Sequence, residues 1–138
     1  MLRFNKKLEY GIIALFHLAS QDSKSASVRE MAEVCHLPET LLSKIMQQMK
    51  AEGFVAAIHG NHGGYRLNRS LSEINLLDLT RTLVGPVQLA ECLEPGNQCP
   101  VGSSCTLMTP MQQLNARVAK LFEGTSLESL IASRKVAL

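Results

Sequence analysis

Apolar side chains recur every three or four positions near the start of the chain, as they do on one face of an α-helix. This spacing predicts an amphipathic helix over residues 5–20 whose apolar side belongs to the core. Arg3 precedes the helix on its polar side, and Glu9 is its one carboxylate. The apolar positions are Leu8, Ile12, Leu15, Phe16 and Ala19.

Two further helical segments follow a polar loop. Ser27 and Glu30 have the spacing of a capping box, which predicts a short helix over residues 28–34. After a turn at residues 35–38, a second amphipathic helix begins near Glu39 or Thr40. Two short helices joined by a tight turn are typical of a helix-turn-helix. The exposed side of the second helix is expected to carry Thr40, Ser43, Lys44, Gln47 and Gln48, which can reach base edges or phosphates.

The segment after this helix has the pattern of a β-hairpin. Gly53 ends the helix, residues 54–59 and 65–68 read as strands, and the glycine-rich stretch between them reads as a tight turn. A hairpin directly after a helix-turn-helix predicts a winged helix. The wing carries Asn61 and His62 at its tip, flanked by His59, Arg66 and Arg69.

The second half of the chain predicts more helix. Residues 72–83 form an amphipathic helix with Ser72 as its cap, ended by Gly85 and Pro86, and a long helix runs from about residue 106 to 122. A short capped helix restarts at Thr125. We expect one compact unit that is mainly α with a small β-hairpin wing. Its parts are a DNA-binding winged helix-turn-helix at residues 1–84, a cysteine loop at 85–105, and a dimerisation helix and tail at 106–138.

Three of the four cysteines lie in the turn-rich stretch between these helices. Cys92, Cys99 and Cys105 are surrounded by Pro and Gly, and such a loop can aim three thiolates at one point. Thiolates select zinc, copper(I) or iron–sulfur centres, and three are one ligand short of four. The fourth ligand must then come from elsewhere, for example from a second subunit. The alternatives are incidental surface thiols or a disulfide.

Composition narrows the class of protein. The 138 residues are 46% apolar and 19% charged, as in a globular domain, with no stretch long enough to span a membrane. We expect a cytoplasmic protein, where metal binding is favoured over disulfides. The net charge of +2 is too small to indicate nucleic acid by itself. Neither a glycine-rich phosphate loop nor an activated nucleophile is present, so an enzyme is not expected.

The chain resembles the IscR/NsrR regulators of the Rrf2 superfamily over nearly its whole length. The resemblance lies in EYGIIALFHLA, PETLLSKIMQQMKAEGFV, HGNHGGYRL, SEINLLDLTRTLVGP and the cysteine loop. It implies a dimeric winged-helix repressor that holds a 2Fe-2S or 4Fe-4S cluster on Cys92, Cys99 and Cys105. The chain lacks the His that follows the third cysteine in the cluster-biogenesis branch. Glu9 occupies the position from which the nitric-oxide-sensing branch supplies an acidic ligand to the partner subunit.

The sequence thus predicts a homodimer that binds operator DNA and senses iron–sulfur status, nitric oxide or redox stress. Two alternatives stay open: a cluster-free regulator that depends on thiols or zinc, and a small iron–sulfur electron-transfer or assembly protein. The residues expected to contact DNA are Arg3, Arg29, Thr40, Ser43, Lys44, Gln47, His59, Asn61, His62 and Arg66.

Overall fold

The computed structural model describes residues 2–20 and 25–133 and consists of six α-helices and one antiparallel hairpin within those ranges. The predicted fold class, mainly α with a small β-hairpin wing, is confirmed. The predicted tail beyond residue 133 lies outside the described residues. In chain order the elements are α1 (Lys6–Ser20), α2 (Val28–Cys35), α3 (Glu39–Ala51), β1 (Val55–Ile58), β2 (Gly64–Leu67), α4 (Leu76–Leu83), α5 (Met108–Glu123) and α6 (Leu127–Ser133).

One hydrophobic core joins α1, α3 and α4. Leu15, Ile45 and Leu79 are fully buried within it, each with 0% of its surface exposed. The helices approach closely at Gly11, where an added Cβ would lie 2.5 Å from Leu83 Cδ1. One side of α3 is therefore packed into the core, and its opposite side is exposed to solvent.

The turn between α2 and α3 follows from local hydrogen bonds. Ser27 Oγ accepts from the N–H of Glu30, and Glu30 Oε2 accepts from the N–H of Ser27, so the predicted capping box is present. The helix ends at His36, which has the left-handed backbone (φ 55°) typical of a helix terminus. Pro38 then cannot continue the first helix, and α3 begins at the next residue.

The wing is fastened to both sides of the helix-turn-helix. Ala26, in the segment before α2, is buried and exchanges two backbone hydrogen bonds with Tyr65 of β2, at 3.0 and 2.8 Å. A Cβ on Gly64 would collide with the Ala26 carbonyl, so only glycine permits this approach. At the other end, Arg69 donates to the Glu52 carbonyl at 3.1 Å and covers the Phe54 ring at 5.0 Å. The position of the wing is thereby tied to α3.

The start of α4 corrects the sequence prediction. The helix begins at Leu76 with Asn75 as its cap, rather than near Ser72. The reason is tertiary: Leu76 donates to the Thr125 carbonyl and Leu127 to the Ile74 carbonyl, both at 2.9 Å. This short pairing keeps the backbone around Asn75 extended, so the helix can begin only after Asn75.

The same pairing shifts the last helix. α6 begins at Leu127, and Ser126 rather than Thr125 caps it, since Ser126 Oγ accepts from the N–H of Ser129. Thr125 instead donates its hydroxyl to the Leu121 carbonyl at 2.7 Å. Leu127 is fully buried, so this helix returns the end of the described chain to the core. Within the described ranges no helix has both the length and the hydropathy needed to cross a bilayer.

Candidate nucleic-acid interface and cysteine loop

The solvent side of α3 forms an open groove. Four of the residues predicted to contact DNA, Thr40, Ser43, Lys44 and Gln47, line it together. At about 100° per residue they lie on one arc of the helix, opposite the buried side chains of Leu42 and Met49. A helix with this arrangement can enter a major groove while its other side stays packed in the core.

Two residues of α3 differ from the prediction. Glu39 lines the same groove and was not among the predicted contacts, although its spacing of four and eight residues from Ser43 and Gln47 marks it. Gln48, expected on the exposed side, is half-buried, and its Oε1 atom is buried without a hydrogen-bond donor. The prediction that Gln48 lies on the exposed face is therefore wrong, because its amide lies at the edge of that face.

The wing tip lies beside the loop that precedes α2. Asn61 and His62 are exposed and line a cavity together with His17, Ser27 and Glu30. The tip thus remains open to solvent on one side and abuts the capping box of α2 on the other. Its exposed imidazole and amide are in a position typical of wings that contact the backbone or minor groove.

The remaining predicted DNA contacts are not gathered with the α3 groove. Arg3 borders an apolar groove between α1 and α5, and Arg66 borders a different groove beside Leu18 and Glu128. Arg29 forms an exposed ion pair with Glu33 at 3.3 Å. His59, which directly follows β1, is exposed. The α3 residues line one continuous groove, and all ten DNA contacts, these four included, stay predictions.

The cysteine loop is built of local turns. Cys92 lies in a short 3₁₀ turn, Glu91–Leu93, and Cys105 directly follows a second one, Gly102–Ser104. Between them, Asn97 donates to the Glu94 carbonyl at 3.1 Å and Gly102 to the Cys99 carbonyl at 3.0 Å. These bonds close turns without tying the loop to the core.

One residue of α5 holds the entrance of this loop. Asn115 accepts from the N–H of Leu89 at 2.8 Å and donates to the Val87 carbonyl at 2.9 Å. The side chain of Gln88 then donates to the Leu93 carbonyl at 3.4 Å. The backbone that enters the loop is therefore anchored to the middle of α5, before the first cysteine.

The thiols of the loop are donors that fit a soft metal centre. All four cysteines are free and half-buried, so no disulfide removes the thiols. Yet nowhere in residues 2–20 and 25–133 do three His, Cys, Asp or Glu side chains come together as a metal-binding group. The donors match a thiolate-ligated centre, which these cysteines would hold only if the loop brought them closer together.

Cys35, the fourth cysteine, is separate from the loop. It lies at the end of α2 and borders a small cavity with Phe16 and Ile131. Burial raises the pKa of the Cys35 thiol above its usual 9.0, which disfavours the nucleophilic thiolate. Its place in the fold is that of a small apolar side chain.

Glu9 lies on the half-exposed side of α1. Its carboxylate accepts a 3.1 Å hydrogen bond from Lys6, whose side chain is 71% exposed. Surface pairs of this kind contribute about 0–1 kcal/mol. Breaking this ion pair costs little free energy, so the Glu9 carboxylate can exchange Lys6 for another partner.

Comparison with known proteins decides the class. The model of the Rrf2 family, described as iron-dependent transcriptional regulators, matches residues 4–133. The chain belongs to the Rrf2 family. It is 29% identical over 139 residues to the HTH-type transcriptional regulator NsrR of Oceanobacillus iheyensis, covering 99% of this chain and 95% of that one. The predicted resemblance is confirmed.

Solved structures agree with this assignment. CymR, the global cysteine regulator of B. subtilis, superposes with a TM-score of 0.74 at 26% identity, covering 96% of this chain and 98% of CymR. IscR of T. potens has the same fold, with a TM-score of 0.72 at 22% identity over 99% and 90% of the two chains. This Rrf2 protein is a DNA-binding transcriptional regulator and not an enzyme.

Proposed function

We propose that this Rrf2 protein is a homodimeric repressor whose affinity for operator DNA is set by an iron–sulfur cluster in the cysteine loop. The observation that carries the proposal is the combination of a match to iron-dependent regulators with three free thiols between the winged helix and α5. The signal would be iron–sulfur status, nitric oxide or redox stress.

DNA recognition is assigned to the α3 groove and the wing. Thr40, Ser43, Lys44 and Gln47 supply hydroxyl, ammonium and amide groups, which form the direct contacts that read bases and hold phosphates. Arg69 and Asn68 tie the wing to the end of α3. The two elements therefore dock as one rigid piece.

Dimerisation is assigned to α5. Leu107, Leu114 and Leu121 are spaced seven residues apart and are 57%, 48% and 66% exposed. A stripe of leucines at this spacing is the seam through which two helices pack. A two-fold dimer would cover the stripe on both copies and place two α3 helices for half-sites about 34 Å apart.

Cluster binding is assigned to Cys92, Cys99 and Cys105, with Glu9 of the partner subunit as fourth ligand. Thiolates are the donors that iron–sulfur centres select. When bound, the cluster would supply a centre that reacts with nitric oxide and oxidants. Because the loop is held by local turns after Leu89, its backbone can rearrange to bring the thiols together.

The test is the iron and acid-labile sulfide content of protein purified without oxygen. Matched iron and sulfide in the wild type, lost in Cys99→Ser, are expected. Glu9→Ala should retain the cluster less well and alter its absorption spectrum, whereas Glu33→Ala, which also breaks an exposed ion pair, should not. Absence of iron and sulfide from the wild type would contradict the cluster proposal and leave the DNA-binding role intact.

A second candidate, a cluster-free thiol or zinc regulator, is favoured by one observation. CymR, described as a cysteine regulator, is 26% identical to this chain and shares its fold throughout. In that case zinc or free thiols would replace iron and sulfide in the same analysis. Purified protein would then bind DNA differently after treatment with a mild thiol oxidant or with a zinc chelator.

A further inference from the structure

Among the described residues that line the α3 groove, Glu39 is the one with an acidic side chain. It is the first residue of α3, is exposed, and lines the groove with Thr40, Ser43, Lys44 and Gln47. Within the described residues no ion pair joins its carboxylate to a cation, whereas Glu9 and Glu33 are paired with Lys6 and Arg29. An unpaired negative charge thus lies on a surface that must approach phosphates.

A carboxylate in this position weakens binding to any DNA backbone, since both groups are negative. It gains an interaction only where DNA presents a hydrogen-bond donor. The first turn of a recognition helix is the part that meets base edges. Glu39 therefore faces the bases rather than the solvent when α3 lies in the major groove.

The base that suits a carboxylate follows from its chemistry. An ionised Glu only accepts hydrogen bonds. In the major groove, donors are the N4 amino group of cytosine and the N6 amino group of adenine, and adenine places the acceptor N7 beside its donor. That acceptor repels a carboxylate, whereas it suits the amide of glutamine. Cytosine is left as the matching base.

We propose that Glu39 is a specificity-determining residue that selects cytosine at one position of each half-site by accepting from its N4 amino group. The same negative charge lowers affinity for DNA that lacks cytosine there. The inference rests on α3 being the recognition helix, and it goes beyond the proposed function by naming a residue and the base it selects.

A purely structural role for Glu39 is also physically reasonable. α3 begins after Pro38, which provides no side-chain cap. A negative charge in the first turn interacts favourably with the helix dipole and stabilises the helix. A residue with this role alone affects unfolding and overall affinity. It does not change which base is preferred.

The experiment uses the full-length protein to select binding sites from a random duplex library. The protein is used in whichever form, cluster-loaded or cluster-free, binds DNA. The wild type is compared with Glu39→Gln, Glu39→Ala and Glu52→Gln. Glu52 is the matched control because it is exposed, lies at the other end of α3 and does not line the groove. Single-base variants of the selected site then give affinities at one salt concentration, and thermal unfolding shows that each variant is folded.

The wild type is expected to prefer cytosine by about tenfold at one position of each half-site. Glu39→Gln should shift that position towards adenine, and Glu39→Ala should accept all four bases there, with other positions unchanged. Glu52→Gln should keep the cytosine. If the Glu39 variants keep the wild-type base preferences, the proposal is overturned whatever their overall affinity. A wild type that selects no sequence at all would overturn the recognition role of α3 as well.

Discussion

Asn115 and Leu89 lie 26 residues apart in the chain and are joined by a 2.8 Å hydrogen bond from the Leu89 N–H to Asn115 Oδ1. The amide of Asn115 also donates to the Val87 carbonyl. One side chain on the proposed dimerisation helix thus holds the backbone that enters the cysteine loop. The cysteine loop and α5 are mechanically linked at this point.

Asn115→Ala tests this link. Removing both hydrogen bonds should lower the free energy of unfolding by about 1–3 kcal/mol, because two backbone groups lose their partners in a half-buried site. Amide hydrogen exchange at Leu89 should accelerate, while exchange in the α3 core should not. Gln112→Ala, an exposed change on the same helix, is the control. Unchanged protection of Leu89 would show that the bond does not hold the loop.

Lys44 is predicted to be a phosphate or base contact of the α3 groove. In Lys44→Gln, the slope of log affinity against log salt concentration should fall by about one per subunit, since one fewer counterion is released. Lys120→Gln removes the same charge from an exposed position on α5 and should leave the slope unchanged. Fluorescence anisotropy with a labelled duplex measures both. Equal losses in the two variants would mean that only net charge matters.

Leu121 is predicted to lie in the dimer seam, where it is the most exposed of the three leucines. Leu121→Glu places a charge where two copies pack, so light scattering should give a monomer mass, and affinity for a two-half-site duplex should fall. Gln113→Glu adds the same charge on another face of α5 and should remain dimeric. A Leu121→Glu protein that keeps its dimer mass would exclude this face as the interface.

Cys35 is predicted to be the unreactive thiol. Because its pKa is raised in the folded chain, its neutral form favours folding below about pH 9, and this contribution is lost as pH rises through the folded pKa. In a variant with the three loop cysteines changed to serine, iodoacetamide should modify Cys35 at about pH 8 more slowly in the folded than in the guanidinium-unfolded protein. Equal rates in the two states would contradict the effect of burial.

Periodicity and capping signals were sufficient to predict most of the fold. The capping box at Ser27, the helix face of Ile45 and Met49, and the glycine-rich hairpin are local patterns that the core reinforces. The predicted start of α4 was wrong because the true start depends on pairing with residues some 50 positions later, around Thr125. No local pattern reveals that pairing. The predicted exposure of Gln48 was wrong for a similar reason. Gln48 lies at the edge of the helix face, where burial depends on neighbouring elements.

The candidate site was predictable as chemistry more than as geometry. The α3 side chains were predicted because helical spacing alone brings them to one face. Glu39 was not among the predicted contacts, although its helical spacing places it in the same groove. The convergence of Cys92, Cys99 and Cys105 is not fixed by the chain itself, because their loop is closed by local turns.

The central claim is that the state of the cysteine loop sets DNA affinity, and one comparison tests it most directly. Anaerobically purified protein, before and after its iron and sulfide are removed, is titrated at the same salt concentration onto a duplex carrying the selected site. The account predicts affinities that differ by at least about tenfold, the range of typical coupling between two sites. Indistinguishable affinities for the loaded and cluster-free protein would contradict it.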